Sequence, residues 1–122
     1  MRRDDQRLED ILQALDWIAS AVSGFTEEKF LSDDVRCFAV ARQLTVVGEA
    51  AANVSAQTRE KYPAIPWRDI VAFRNILVHE YFGTSWNRVW ETVSDQAPIL
   101  RAKIAAIAEA ERSQNDSTSA AS

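Results

Sequence analysis

Apolar residues recur every three or four positions through most of this 122-residue chain, which is the spacing of amphipathic helices. The first such pattern starts at Asp4 or Asp5, either of which can cap a helix, and stops at Gly24. Thr26 and the two glutamates after it predict a short helical turn, because acids are favoured at a helix N-terminus. The apolar positions of the first helix are Leu8, Ile11, Leu12, Leu15, Ile18, Ala19 and Val22.

A second long helix is predicted after Ser32 or Asp33, with mostly small residues from Gly48 to Ala56. Small side chains there would allow another helix to approach closely. The segment 62–66 is a connector, and its last residue, a proline, suits the first position of the next helix.

A third helix is predicted from about Trp67 to Tyr81, ended by Gly83. Thr84 or Ser85 then caps a last helix that reaches Ile107. The core candidates of the third helix are Ile70, Val71, Phe73, Leu77 and Val78.

The predicted fold is all-α, an antiparallel bundle of four main helices plus a short one. One domain covers residues 1–112, and 113–122, which has no packing residues, is expected to be a disordered tail. With three glycines and three prolines, the chain builds long helices more easily than a many-turned β fold.

The composition favours a cytoplasmic protein without a membrane segment, since no apolar run approaches the roughly 20 residues that span a bilayer. The single cysteine, Cys37, cannot form an internal disulfide and is expected to be a small buried residue. No Cys or His cluster indicates a metal site.

The net charge of −4 argues against broad electrostatic binding of nucleic acid. The deficit lies in residues 1–40, which hold nine acids and five bases, whereas residues 41–122 hold nine of each. An RNA ligand is therefore compatible with a local arginine-lined site and not with a general basic surface.

Candidate chemistry concentrates at the end of the third helix, around the only histidine of the chain, His79. Its imidazole can transfer protons near neutral pH, and the guanidinium of Arg74 can hold a phosphate. Asn75, four residues before His79, can orient the imidazole, and Tyr81 can contact phosphate or base. These groups suffice for attack of an RNA 2′-hydroxyl on the adjacent phosphate without a metal.

Helix geometry limits how these residues cooperate. At about 100° per residue, Arg74 and His79 diverge by about 140° on a straight helix. Either the helix loosens near His79, or two copies of it face each other in a two-fold dimer and pool their residues. A histidine near a helix end is also commonly a packed or capping residue, and Trp67, Trp86 and Trp90 are expected in the core or an interface more than on bases.

The segment Arg74-Asn75-Ile76-Leu77-Val78-His79-Glu80-Tyr81 resembles the Arg-X4-His-X-Tyr signature of HepT-like proteins, a branch of the HEPN superfamily. Val47-Gly48-Glu49-Ala50-Ala51 resembles the Gly-Glu-Ala segment of that family. Pro66-Trp67-Arg68-Asp69-Ile70 resembles the segment that precedes the motif in the family. Tyr81-Phe82-Gly83, followed by Val89-Trp90, resembles the residues with which the family motif ends and those that come after it. The resemblance covers roughly residues 5–108.

The resemblance implies a helical homodimer with the motif at the interface, acting as a metal-independent endoribonuclease toxin with Arg74 and His79 as catalytic residues. It implies an antitoxin, an MntA-like minimal nucleotidyltransferase that uses ATP and magnesium to transfer AMP to Tyr81. AMP there would add bulk and negative charge at a phosphate-binding site.

By the same resemblance Glu49 is a supporting site residue with Asn75 and Tyr81, although Glu49 can equally be a carboxylate paired with an arginine such as Arg74. A second functional interpretation stays open, in which the chain is a non-catalytic helical subunit that binds the nucleotidyltransferase and positions its substrate.

Overall fold

The structure, a computed structural model, describes the chain over residues 3–79 and 85–121, with side chains to residue 114. These residues form helices and connecting turns without a strand, which confirms the all-α prediction. A short π-helical segment, Thr92–Gln96, joins the last two helices. The helices are α1 (Asp4–Val22), α2 (Glu27–Leu31), α3 (Asp34–Asn53), α4 (Ala56–Lys61), α5 (Trp67–His79), α6 (Trp86–Glu91) and α7 (Ala97–Ala121).

Helix α3 lies at the centre of the fold and packs between α1 on one side and α5 on the other. Helix α7 packs on the outer side of α1. Arg101 bonds Asp16 and Arg112 bonds Glu9, so α1 and α7 run antiparallel. The apolar stripe predicted for α1 is buried at Leu8, Ile11, Leu12, Leu15 and Ile18.

The start of α1 differs from the prediction that Asp4 or Asp5 caps it. Arg3 occupies the cap position, and Asp4 is the first helical residue. The Asp4 carboxylate instead accepts hydrogen bonds from Ser55 N–H at 3.0 Å and from the hydroxyls of Ser55 and Thr58, both at 2.5 Å. Burial alone would raise the pKa of Asp4, but these bonds and the charge of Arg7 lower it.

Helix α4 was not predicted, because its six residues carry no apolar repeat. Ser55 caps it by accepting a hydrogen bond from Thr58 N–H at 3.2 Å, and the Asp4 contacts join it to α1. The other predicted caps are confirmed, since Thr26, Asp33 and Ser85 cap α2, α3 and α6.

The predicted last helix is divided by the π-helical segment. The N–H of Ala97 bonds the carbonyl of Thr92 five residues earlier, which is the π pattern. Pro98 follows directly, and a proline inside a helix has no N–H to donate and crowds the carbonyl four residues before it. The wider turn accommodates that proline, so the helix continues into α7.

The C-terminal segment also differs from the prediction of a disordered tail from Ser113, because α7 continues to Ala121. Extending a formed helix costs far less than starting one, so the last turns can form although most residues of this segment (Ser, Asn, Asp and Thr) are weak helix formers. In the part of the chain that the structure describes, no helix combines the length and the apolar character needed to cross a membrane.

Candidate functional site

Helix α5 carries the candidate site and is only partly covered by the rest of the fold. Of its residues, only Trp67 and Leu77 are buried, both toward α3. Ile70, Val71 and Phe73 are half-buried, and Val78, predicted as a core residue, is 45% exposed. One side of α5 thus anchors the helix while the opposite side faces solvent.

The closest approach of α3 and α5 is at Gly48. A Cβ built on Gly48 would lie 2.1 Å from Cβ and 2.6 Å from Cγ of Arg74. Both are far inside van der Waals contact, so only glycine allows this separation of the two helices. At Gly48 the small residue therefore allows the close helix approach that the sequence predicted, and the side chain that uses the space is Arg74.

The guanidinium of Arg74 is held by one residue of its own helix and one of α3. Its Nη1 donates a hydrogen bond of 2.7 Å to Oδ1 of Asn75. Its Nη2 lies 3.8 Å from Oε1 of Glu49, which completes a loose ion pair. The pairing of Glu49 with Arg74 that the sequence suggested is confirmed.

The Arg74 side chain can present only its outer end to a ligand. Its Nε is buried and has no hydrogen-bond partner in the described structure. Each terminal nitrogen carries two N–H groups, and Nη1 donates one of them to Asn75, whereas Glu49 at 3.8 Å lies beyond hydrogen-bond distance of Nη2. N–H groups of both terminal nitrogens therefore remain to bind two oxygens of a phosphate, which is the bidentate geometry that guanidinium favours.

Asn75 contacts Arg74 and not His79. We expected its amide to orient the imidazole four residues later, but its Oδ1 accepts the Arg74 hydrogen bond. Among the described residues there is no hydrogen bond or ion pair between His79 and Arg74, Asn75 or Glu49. The sequence missed this contact because adjacent residues on a helix point in different directions, and only long side chains can bend to meet.

His79 is exposed and is the last residue of α5. The helix continues without a break from Trp67 to His79, so it does not loosen between Arg74 and His79. Arg74 is directed toward α3 and His79 toward solvent, as the divergence of about 140° requires. Tyr81, the predicted acceptor of AMP, lies outside the described residues.

The tryptophans flanking the site serve packing, as predicted. Trp67 is buried and donates its indole N–H to the carbonyl of Tyr62 at 3.1 Å. The centroid of the Trp90 ring lies 5.3 Å from the centroid of the Phe30 ring. The ring of Trp86 meets that of Phe38 edge-on at 5.2 Å.

A cleft of about 560 Å³ lies beside α5, between it and the α6–α7 segment. Phe73 and Ile76 line it from α5, and the Arg88 guanidinium lies 5.2 Å from the centre of the Phe73 ring. Among the residues that the structure describes, no three His, Cys, Asp or Glu side chains gather as metal ligands.

Comparison with known proteins finds a matching family profile and similar relatives. A family profile described as Ribonuclease HepT-like matches residues 11–107. A protein of Caldanaerobacter subterraneus subsp. tengcongensis, named "Putative RNase TTE0752", is 36% identical over 105 residues, which cover 86% of this chain and 94% of that protein. A protein of Thermococcus cleftensis, named "Probable ribonuclease HepT", is 38% identical over 96 residues, 79% of this chain and 87% of that protein. No solved structure matches the chain.

Proposed function

Since the chain belongs to the HepT-like ribonuclease family, we propose that it is a metal-independent endoribonuclease that acts as the toxin of a toxin–antitoxin pair. The RNA 2′-hydroxyl attacks the adjacent phosphorus, and the bond from phosphorus to the 5′ oxygen breaks. His79 takes the proton of the 2′-hydroxyl or gives one to the leaving oxygen, and Arg74 stabilises the charge on the phosphate oxygens.

The observation that carries this proposal is the held guanidinium of Arg74. Asn75 bonds one terminal nitrogen, Glu49 pairs loosely with the other at 3.8 Å, and Gly48 lets the base of the side chain pack closely against α3. A cation fixed before substrate binds stabilises developing charge without reorganising during the reaction.

The active form is a homodimer in which two copies of α5 combine their residues. The unbroken helix keeps Arg74 and His79 on different faces of one chain. Two-fold symmetry can place His79 of one copy opposite Arg74 of the other. Val78, exposed at the end of α5, is available for that contact.

The regulation we propose is transfer of AMP to Tyr81 by an MntA-like minimal nucleotidyltransferase, with both proteins in the cytoplasm. ATP and magnesium serve the partner, and RNA cleavage itself needs no cofactor. Tyr81 follows His79 by two residues, so a nucleotide on its hydroxyl adds negative charge beside the site that binds the RNA phosphate. The modified toxin then binds RNA poorly.

An RNA cleavage assay with EDTA present and antitoxin absent tests the proposal. The wild-type chain should cut RNA, and His79→Ala should lose at least about 100-fold in rate, because it removes the proton-transfer group. Circular dichroism and size-exclusion chromatography should show that the variant keeps its fold and its oligomeric state.

Two outcomes would contradict the proposal. Retained cleavage by His79→Ala would exclude the mechanism. No cleavage by either protein, with wild-type Tyr81 shown by mass spectrometry to be unmodified, would instead support the non-catalytic subunit that binds the nucleotidyltransferase.

A further inference from the structure

One exposed row of α5 extends from His79 back to the start of the helix. Residues 68, 72, 75 and 79 follow one another at spacings of four, three and four, and all four are exposed. At about 100° per residue their side chains fall within about 60° of one another. Arg68, Ala72, Asn75 and His79 therefore form a single stripe on the solvent side of the helix.

Arg68 is the charged residue at the far end of this stripe. It is exposed, and in the described part of the chain it has no ion pair and no side-chain hydrogen bond. Arg101 is paired with Asp16 and Arg112 with Glu9, whereas Arg42, which is exposed and has no ion pair in the described structure, lies on α3 and not on the face of His79. The neighbouring Asp69 lines the cleft beside α5, as Ala72 does, and forms no ion pair with Arg68 in the described structure.

The stripe between Arg68 and His79 is open. Between the two ends lie Ala72, which has only a methyl group, and Asn75, whose Oδ1 is engaged by Arg74. The two residues are eleven positions apart, or about 16 Å along the helix axis. At about 3.4 Å per stacked nucleotide, a strand needs about five nucleotides to span that distance.

We infer that Arg68 binds a backbone phosphate of the RNA and holds the strand along α5, several nucleotides from the bond that is cut. This inference rests on the proposed ribonuclease function. Guanidinium binds two phosphate oxygens at once and reads no base, so Arg68 contributes affinity and alignment without sequence preference. The substrate class is therefore single-stranded RNA longer than the cleaved step.

Binding of fluorescent RNA to cleavage-deficient protein tests the inference. In the His79→Ala background, added Arg68→Ala should weaken binding of an eight-nucleotide single strand about five- to tenfold. The same change should leave binding of a dinucleotide analogue unaltered, since a dinucleotide cannot reach from His79 to Arg68. The slope of log affinity against log salt should become shallower by about 0.7, the value for one lost phosphate contact on a single strand.

Two further variants separate a specific contact from a change in net charge. Lys29→Ala, on α2, removes one positive charge from an element that packs on α3 and α6, and it should leave both affinity and salt slope unaltered. Arg68→Lys keeps the charge and should keep the salt slope while losing part of the affinity.

The outcomes distinguish this inference from the proposed function. If the His79→Ala protein binds RNA and Arg68→Ala behaves like Lys29→Ala, Arg68 is not a phosphate contact, although the ribonuclease proposal stands. If the His79→Ala protein binds the eight-nucleotide strand no better than the dinucleotide, the strand does not follow the stripe. If the His79→Ala protein binds neither the eight-nucleotide strand nor the dinucleotide, and the wild-type protein cuts neither of them, the proposed function fails. This inference then fails with it.

Discussion

Arg74 shows how one side chain can be fixed without being fully buried. Its side chain is 31% exposed, yet its buried Nε has no partner, which costs stability on the order of 1–3 kcal/mol. The contacts of its terminal nitrogens with Asn75 and Glu49 keep the outer end of the guanidinium directed to solvent. Arg7 and Arg59 also have a buried Nε without a partner in the described structure, so this cost is not peculiar to Arg74.

Replacing Glu49 tests whether it positions Arg74. Glu49→Ala should lower kcat for RNA cleavage about tenfold, because misplacing a catalytic group by 1 Å costs up to about 100-fold. Glu49→Gln retains an oxygen acceptor near Nη2 and should restore most of the rate. Glu60→Ala, which removes an exposed acid of α4, is the matched control. Equal kcat for Glu49→Ala and wild type would show that Glu49 does not position Arg74.

The chain has two tyrosines, which gives a matched pair for testing the acceptor of AMP. Tyr81→Phe should abolish transfer from labelled ATP by the cognate nucleotidyltransferase, because the accepting hydroxyl is gone. Tyr62→Phe should remain a full substrate, since the Tyr62 hydroxyl is bonded to Glu111 at 2.8 Å. Peptide mass spectrometry of both variants locates the label. Full labelling of Tyr81→Phe would show that another residue is the acceptor.

The identities of the candidate residues could be predicted from the sequence, but their contacts only in part. Spacing and resemblance select Arg74, Asn75 and His79, and the helical repeat gives the angle between Arg74 and His79. The bond from Arg74 to Asn75 could not be predicted, because it depends on how far an arginine side chain bends. The unpaired Nε also depends on packing against α3 that no local pattern encodes.

At the scale of elements, the separation of α3 and α5 is set at one residue. Gly48→Ala should push the helices apart, because the new methyl carbon would meet Cβ of Arg74, which cannot move without its backbone. Overpacking of this kind costs about 1–3 kcal/mol, against a gain of about 1 kcal/mol in helix propensity.

Gly48→Ala should therefore unfold at a lower temperature and lose more cleavage activity than its stability change alone would cause. Thermal unfolding and kcat measured on the same preparation check this. Ala52→Ser, at an exposed position of the same helix, is the control for a side chain enlarged by one atom. Wild-type stability together with wild-type activity would show that α5 tolerates a wider separation.

Long amphipathic helices were predictable because their apolar repeat is strong, and α1 is buried at five of the seven positions that its pattern selected, with Ala19 exposed and Val22 half-buried. Helix α4 was not predicted because it has no such repeat, and its cap, Ser55, is the only local feature that indicates it. The contact of Asp4 with Ser55 joins residues 51 positions apart, so it cannot be read from local sequence. Pro98 was the available signal for the π-helical segment.

At the scale of the whole molecule, complementation between two inactive variants tests the shared site. If each site takes Arg74 from one copy and His79 from the other, a heterodimer of Arg74→Ala and His79→Ala keeps one complete site. Random pairing after mixing and refolding equal amounts should restore about a quarter of wild-type activity. Each variant refolded alone is the control, and no recovery in a mixture shown to contain heterodimers would place both residues of a site on one chain.

Net charge is a poor guide to where RNA can bind on this protein. The acidic excess lies in residues 1–40, and part of it is paired, as Asp16 is with Arg101 and Glu9 with Arg112. The net charge of the chain could be predicted from composition. The stripe of exposed residues on α5 from Arg68 to His79 could be recognised only from the fold. Local arrangement therefore decides binding more than the total of −4 does.

The state of Cys37 makes the protein convenient for site-selective labelling. Cys37 is the only cysteine, it is 2% exposed, and its thiol donates a hydrogen bond to the Phe30 carbonyl. Burial, with the charges of Asp34 and Asp33, raises its pKa, so little reactive thiolate forms near neutral pH. A cysteine introduced at the exposed Ser113 would thus accept a spin label alone, and the distance between two such labels would report the geometry of the pair of chains without altering α5.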